Sequence, residues 1–250
     1  MTSLEKFARV LKLALICCVA LCVFASCNKD ENKPNPIGPG GSLGNYKEPE
    51  MVGNASLGST LTLSGQVYKN TNNYPNPYEK WNGNATVFSN DIYDDNGYIT
   101  GKITNGQLSY SVGQPNLDSW HNTVQEIFDG YQEFFLSMLY DDVTYSHPDV
   151  SAFILWGLET EEYYGVVKGG YSYYNQGMFE EVVFYLWVES DVRITAKGGK
   201  DNLSDTFKDD IDMQLKAGWN AIYKRQAWST EISSCIKLGN ANLYWIIALD

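Results

Sequence analysis

From Leu61 onward the chain keeps returning to a period of two. The runs Leu61-Thr62-Leu63-Ser64-Gly65-Gln66-Val67-Tyr68, Val192 to Lys197 and Asp210-Ile211-Asp212-Met213-Gln214-Leu215-Lys216 set apolar against polar residues at alternate positions. Side chains of a strand point to opposite faces in turn, so this pattern predicts half-buried strands. Phe153-Ile154-Leu155-Trp156 and Val182-Val183-Phe184-Tyr185-Leu186-Trp187-Val188 are apolar throughout, as central strands covered on both faces are. Asn105-Gly106 is a strong hairpin signal, and Asp94-Asp95-Asn96-Gly97, Gly169-Gly170, Gly198-Gly199 and Gly218 read as further turns. The expected fold is mainly β, with antiparallel sheets forming one β-sandwich or two, the alternative closure being a barrel.

One segment departs from that period. Trp120, Val124, Ile127, Phe128, Tyr131, Phe135, Met138 and Leu139 fall on one helical face, which predicts an inserted amphipathic helix over about 119–140, capped by Asp118 or Ser119. Gly130 weakens its middle, so one kinked helix or two short ones fit. The stripe reads as core packing. The chain therefore divides into an N-terminal β-sandwich-like region at 49–117, a helical segment at 118–142 and a C-terminal antiparallel β region at 143–250.

Between Leu61 and Val112 the order Ser-Gly-x-Val, Ala-Thr-Val and Asn-Gly-x-Leu-Ser-Tyr-Ser-Val resembles the transthyretin-like, or carboxypeptidase-regulatory-like, β-sandwich of many exported bacterial proteins. The resemblance covers about 50 residues and implies a fold, not an activity.

The first 26 residues carry Lys6, Arg9 and Lys12 against Glu5, then an apolar run from Leu13 to Ala25. That is the layout of a secretory signal peptide, and a run of about 13 residues falls short of the roughly 20 that a spanning helix needs. The ending Phe24-Ala25-Ser26-Cys27 resembles a bacterial lipobox. The resemblance implies that Cys27 is lipid-modified on sulfur, becomes the mature N-terminus and anchors the protein to a membrane. A thiolate is the nucleophile for such a thioether, and two or three acyl chains (palmitate among them) are what make a tether durable. Asn28-Lys29-Asp30-Glu31 resembles the short acidic signal that routes some lipoproteins to the outer face of the outer membrane, although an ordinary solvated linker reads the same way. Residues 27–48 are rich in Asn, Pro and Gly and read as a disordered tether.

A net charge of −12, more negative still once the basic leader is removed, excludes nucleic acid as an expected partner, since phosphate binding needs a clustered positive surface. Of five cysteines, Cys17, Cys18 and Cys22 lie in the leader and Cys27 takes the lipid, which leaves Cys235. No intramolecular disulfide is then available, and Cys235 in an apolar run reads as a small buried hydrophobe.

No cofactor, metal site or catalytic residue is assigned. The two histidines, His121 and His147, lack metal-ligand spacing. The loop Asp91 to Gly97 fails the EF-hand template, because its first and twelfth positions are Ile92 and Ile103; an acidic hairpin turn explains it more simply than a looser oxygen-ligand calcium site. Glu159, Glu161 and Glu162, and Glu180 with Glu181, offer paired carboxylates of the kind a glycosidase uses, while acids at strand ends also serve as solvated edge protection. No nucleophile elbow or phosphate loop occurs.

The candidate binding residues are aromatic: Tyr171, Tyr173, Tyr174, Tyr185 and Trp187, beside Tyr163 and Tyr164. Exposed Tyr and Trp give rigid amphipathic contact area suited to sugar rings and partner proteins, though aromatics also favour strands for packing alone. The expectation is a lipid-anchored envelope protein, at the outer membrane and its surface, that binds a glycan or protein without catalysis. The rival readings are a polysaccharide hydrolase and a structural subunit of an envelope complex.

Overall fold

The computed structural model describes residues 48–70, 78–94, 97–116, 122–130, 140, 142–161, 163, 165–174, 177–200, 207–227 and 233–248. The leader, Cys27 and all of the expected tether except residue 48 lie outside them.

Strands dominate the described chain. A short β1 (Ser56–Gly58) precedes β2 (Leu61–Asn70), β3 (Tyr78–Lys80), β4 (Ala85–Asp94), β5 (Gly97–Thr104) and β6 (Gln107–Val112). Next come β7 (Asn122–Thr123), helix α1 (Val124–Gly130), β8 (Thr144–Tyr145), β9 (Ser151–Leu155), β10 (Gly157–Thr160), β11 (Gly165–Tyr174) and β12 (Gly177–Val188). The chain continues through β13 (Val192–Ala196), β14 (Gly199–Lys200), β15 (Phe207–Lys208), β16 (Ile211–Leu215), β17 (Gly218–Ala227), β18 (Cys235–Leu238) and β19 (Tyr244–Ala248).

Seven of these strands close into a barrel-like ring. β4, β5, β6 and β2 are successive antiparallel neighbours. β10 pairs with β4, β11 with β10, and β19 with β11. The circuit closes where β19 lies parallel to β2, with Ile246 beside Tyr68. Alternation decides which side chains fill it: Leu61, Leu63, Val67, Val87, Ile103, Leu108, Tyr110, Val112, Val166, Trp245 and Ile247 join one buried cluster. Thr62, Ser64, Gln107, Ser109 and Ser111 face water between them. An apolar filled lumen under a polar wall is the inverse of the membrane-barrel pattern, which puts apolar residues outside.

At Lys168 the ring branches. β10 covers only Val166 and Val167 of one β11 edge, and β12 takes that edge from Lys168 to Tyr174. β12 then runs on to pair with β9, while β17 lines its other edge from Phe179 to Val188. β18 and β1 share the far edge of β17. This sheet is buried on both faces, as the unbroken apolar runs predict. Val183, Tyr185, Trp187, Trp219, Ala221 and Tyr223 face the ring cluster. Phe184, Leu186, Val188, Ile222 and Ile236 face a second cluster, completed by Val192, Ile194 and Ala196 of β13, Ile211, Met213 and Leu215 of β16, and α1.

Two expectations change. The strands of 61–112 form part of the closed ring with β10, β11 and β19, so the expected sandwich does not describe them; partners from later in the chain are available for both outer edges, and closure removes the exposed edges that a sandwich would leave. The helix is short, ending at Gly130, with 131–139 outside the described residues. Its cap is Thr123 rather than Asp118 or Ser119. The Glu126 amide donates to Thr123 Oγ1 at 3.0 Å and the Thr123 amide donates to Glu126 Oε2 at 2.9 Å, a reciprocal capping box. Of the predicted stripe, Val124, Ile127 and Phe128 are buried in the second cluster.

Candidate functional site

The outward face where β11, β19, β2 and β3 meet collects tyrosines. Val67 points into the ring, so Tyr68 points out; on β19, Trp245 and Ile247 point in and Tyr244 and Ile246 out. The Tyr244 ring lies 4.4 Å from Tyr68 and 5.5 Å from Tyr78, centroid to centroid, at tilts of 47° and 56°. Tyr244 is 49% exposed and Val167, paired to Ile246 in the next strand, 40% exposed. Opposite Tyr244 in register is Gly169, which offers no side chain to cover the ring. A Cβ there would sit 2.9 Å from the Glu181 carbonyl oxygen, so the close strand approach itself favours glycine. Lys80, exposed and opposite Tyr68, is the cation on this face; the Lys69–Glu79 ion pair alternates to the other side.

Of the expected contact residues, Tyr185 and Trp187 are elsewhere. Tyr185 and Trp187 are 3% and 4% exposed in the ring-facing core, with Tyr185 stacked on Trp245 at 6.5 Å. This corrects their assignment as contact residues: residues 183–188 of β12 are covered on both faces, so neither parity reaches solvent there. For Tyr171, Tyr173 and Tyr174 the backbone is in β11, and their side chains lie outside the described residues, as does Tyr164. Tyr163 packs edge-on against Trp81 at 5.4 Å.

A second polar feature lies inside. Lys168 is 8% exposed, donates to Asn240 Oδ1 and sits 5.9 Å from the Trp245 ring centroid. Burial lowers its pKa to about 8. Next to it, Glu181 accepts from the Tyr223 hydroxyl, and Arg225 holds Ser233 through its Nε at 2.8 Å and Glu48 at 3.5 Å. Lys237 also pairs with Glu48. Glu181 is therefore a buried, hydrogen-bonded carboxylate, while Glu159 pairs with Phe88 in the β10–β4 ladder and Glu162 lies outside the described residues. Burial raises the pKa of the Cys235 thiol, and no group of three His, Cys, Asp or Glu side chains able to hold a metal occurs among the described residues.

Reasoning from the sequence missed the tyrosine cluster because Tyr244 lies far along the chain from Tyr68 and Tyr78. Only Tyr68, predicted in an alternating strand opposite in parity to Val67, carried a local signal. No protein-family model matches the chain, and neither a curated protein nor a solved structure shows significant similarity to it.

Proposed function

We propose that this chain is a non-enzymatic, lipid-anchored protein of the cell envelope that binds a glycan or protein through the tyrosine surface on the outer wall of the ring. The observation that carries the binding reading is Tyr244, half exposed and held against Tyr68 and Tyr78. An aromatic cluster left open on a folded surface is amphipathic, rigid and inexpensive to order on binding. Anchoring rests on the leader and Cys27, and the outer-membrane placement on the short acidic run after it. The packing of β13 and β16 on the β12–β17 sheet supports a local two-layer sandwich beside the ring.

Two measurements test this reading. Metabolic acyl labelling is expected in the wild type and absent in Cys27→Ala; an unlabelled wild type ends the lipoprotein claim. Ligand capture on glycan arrays and by pull-down is expected to fall at least tenfold in Tyr244→Ala with the unfolding midpoint little changed. Equal capture by both proteins would remove the tyrosine surface from the proposal.

A further inference from the structure

Resting on the binding reading above, the geometry points to an uncharged glycan, taken one pyranose residue at a time, as the ligand of the Tyr68–Tyr78–Tyr244 surface. Size argues first. Half of a tyrosine's area is on the order of 100 Å², whereas a stable protein interface takes about 800 Å² from each partner around an apolar centre. Among the described residues the exposed large hydrophobics are Val167, Phe207 and Tyr244, and Phe207 belongs to the separate β14–β15 pair. Among the described residues Tyr244 with Val167 thus makes a spot of sugar-ring size.

Ring geometry narrows the class. Tilts of 47° and 56° keep the three tyrosines from forming one plane. A coplanar strip would suit the flat face of a crystalline polysaccharide; a tilted trio suits a single ring seated on Tyr244, with the neighbouring rings at its sides. The apolar C–H face of a pyranose meets the aromatic face, and its rim hydroxyls meet tyrosine hydroxyls and the Lys80 ammonium.

Charge selects among sugars. Among the described residues Lys80 is the cation placed on this face by register, and the whole chain carries −12. A polyanionic glycan would approach a like-charged molecule for a single favourable charge contact, which long-range repulsion outweighs. Neutral glycans meet no such barrier.

The test is saturation-transfer NMR and calorimetry on the purified full chain, with neutral gluco-, manno- and galacto-oligosaccharides against uronate oligomers of equal length. A neutral series is expected to bind, with the transfer signal strongest on one ring's axial protons. Tyr244→Ala is expected to weaken it at least tenfold, Tyr244→Phe less than about threefold, and Phe207→Ala not at all. The Phe variant keeps the ring, so a folding defect in the Ala variant cannot imitate the pattern. Preference for uronates overturns the neutral assignment. Should the sugars fail while a photo-crosslinker at position 244 captures a protein, and Tyr244→Ala abolishes that capture, the glycan assignment falls and the binding reading stands. Should neither sugar nor protein respond to Tyr244, both fall.

Discussion

Lys168 shows how one side chain can work against the fold that holds it. Its same-face neighbours on β11 are Val166, buried in the ring cluster, and Gly170, so the strand places an ammonium where an aliphatic residue would otherwise sit. Desolvation penalises the charged form and lowers the pKa from 10.5 to about 8. The sign follows from proton counts. Between pH 8 and 10.5 the unfolded chain holds the proton that the folded chain has released, so this residue's contribution to stability rises with pH across that window and is least favourable below pH 8. Lys168→Met keeps the volume and removes the charge and with it the cost of desolvating an ammonium; replacing whole buried ion pairs by apolar residues is often neutral or stabilising by about 1–4 kcal/mol, and a lone lysine bonded to Asn240 falls toward the low end of that range. The expected result is a stability gain of about 1 kcal/mol or more at pH 7 that shrinks as pH rises toward 10.5. Urea unfolding of both proteins at several pH values measures it, and a constant difference between them would contradict the assigned burial cost.

At the scale of elements, the hairpin joining β5 to β6 ties the ring to Trp81. Asn105 and Gly106 have φ of 49° and 74°, the pair of positive values that a type I′ turn requires. A Cβ on Gly106 would lie 1.8 Å from the Trp81 carbonyl oxygen, and its own amide donates to the Gly83 carbonyl at 2.9 Å. Gly106→Ala should therefore cost more than about 2 kcal/mol, from the positive φ and a backbone clash together. Asn105→Gly, at an already tolerated αL position, should stay within about 0.5 kcal/mol. Denaturant midpoints with unchanged m values check both. This turn was legible because Asn-Gly is a local signal, and the faces of β2, β6, β13 and β16 were legible because alternation is local too. The partners were not. Nothing within Tyr244–Ala248 says that one edge will meet β11 and the other β2, and nothing in Val182–Val188 says which parity faces the ring. The aromatic site failed to appear in advance for the same reason: Tyr185 and Trp187 look like Tyr68 and Tyr244 until the sheets that cover them are assembled.

In the molecule as a whole, β19 occupies a place that its length understates. It closes the ring between β2, near the start of the described chain, and β11. Its Trp245 stacks on Tyr185 and donates from Nε1 to the Ser64 carbonyl at 3.1 Å, and Ile246 and Ile247 are also buried. Losing three such side chains at about 2–5 kcal/mol each matches the 5–15 kcal/mol that holds a typical domain together. Ending the chain after Asn242 also bares the edges of β2 and β11, both templates for intermolecular pairing. Such a truncation is expected to give a protein without cooperative thermal unfolding or a near-ultraviolet tryptophan signal, and to aggregate. A chain started at residue 48 keeps every pairing of the ring and the Glu48 contacts to Arg225 and Lys237. It should unfold within a few degrees of the full chain, because a shift of that size corresponds to about 1 kcal/mol or less. If the C-terminal truncation instead unfolds cooperatively at the wild-type midpoint, ring closure by β19 contributes nothing to the stability of the fold. Because the closing contacts span most of the described chain, refolding should also be slow, as it is for proteins dominated by distant strand pairs.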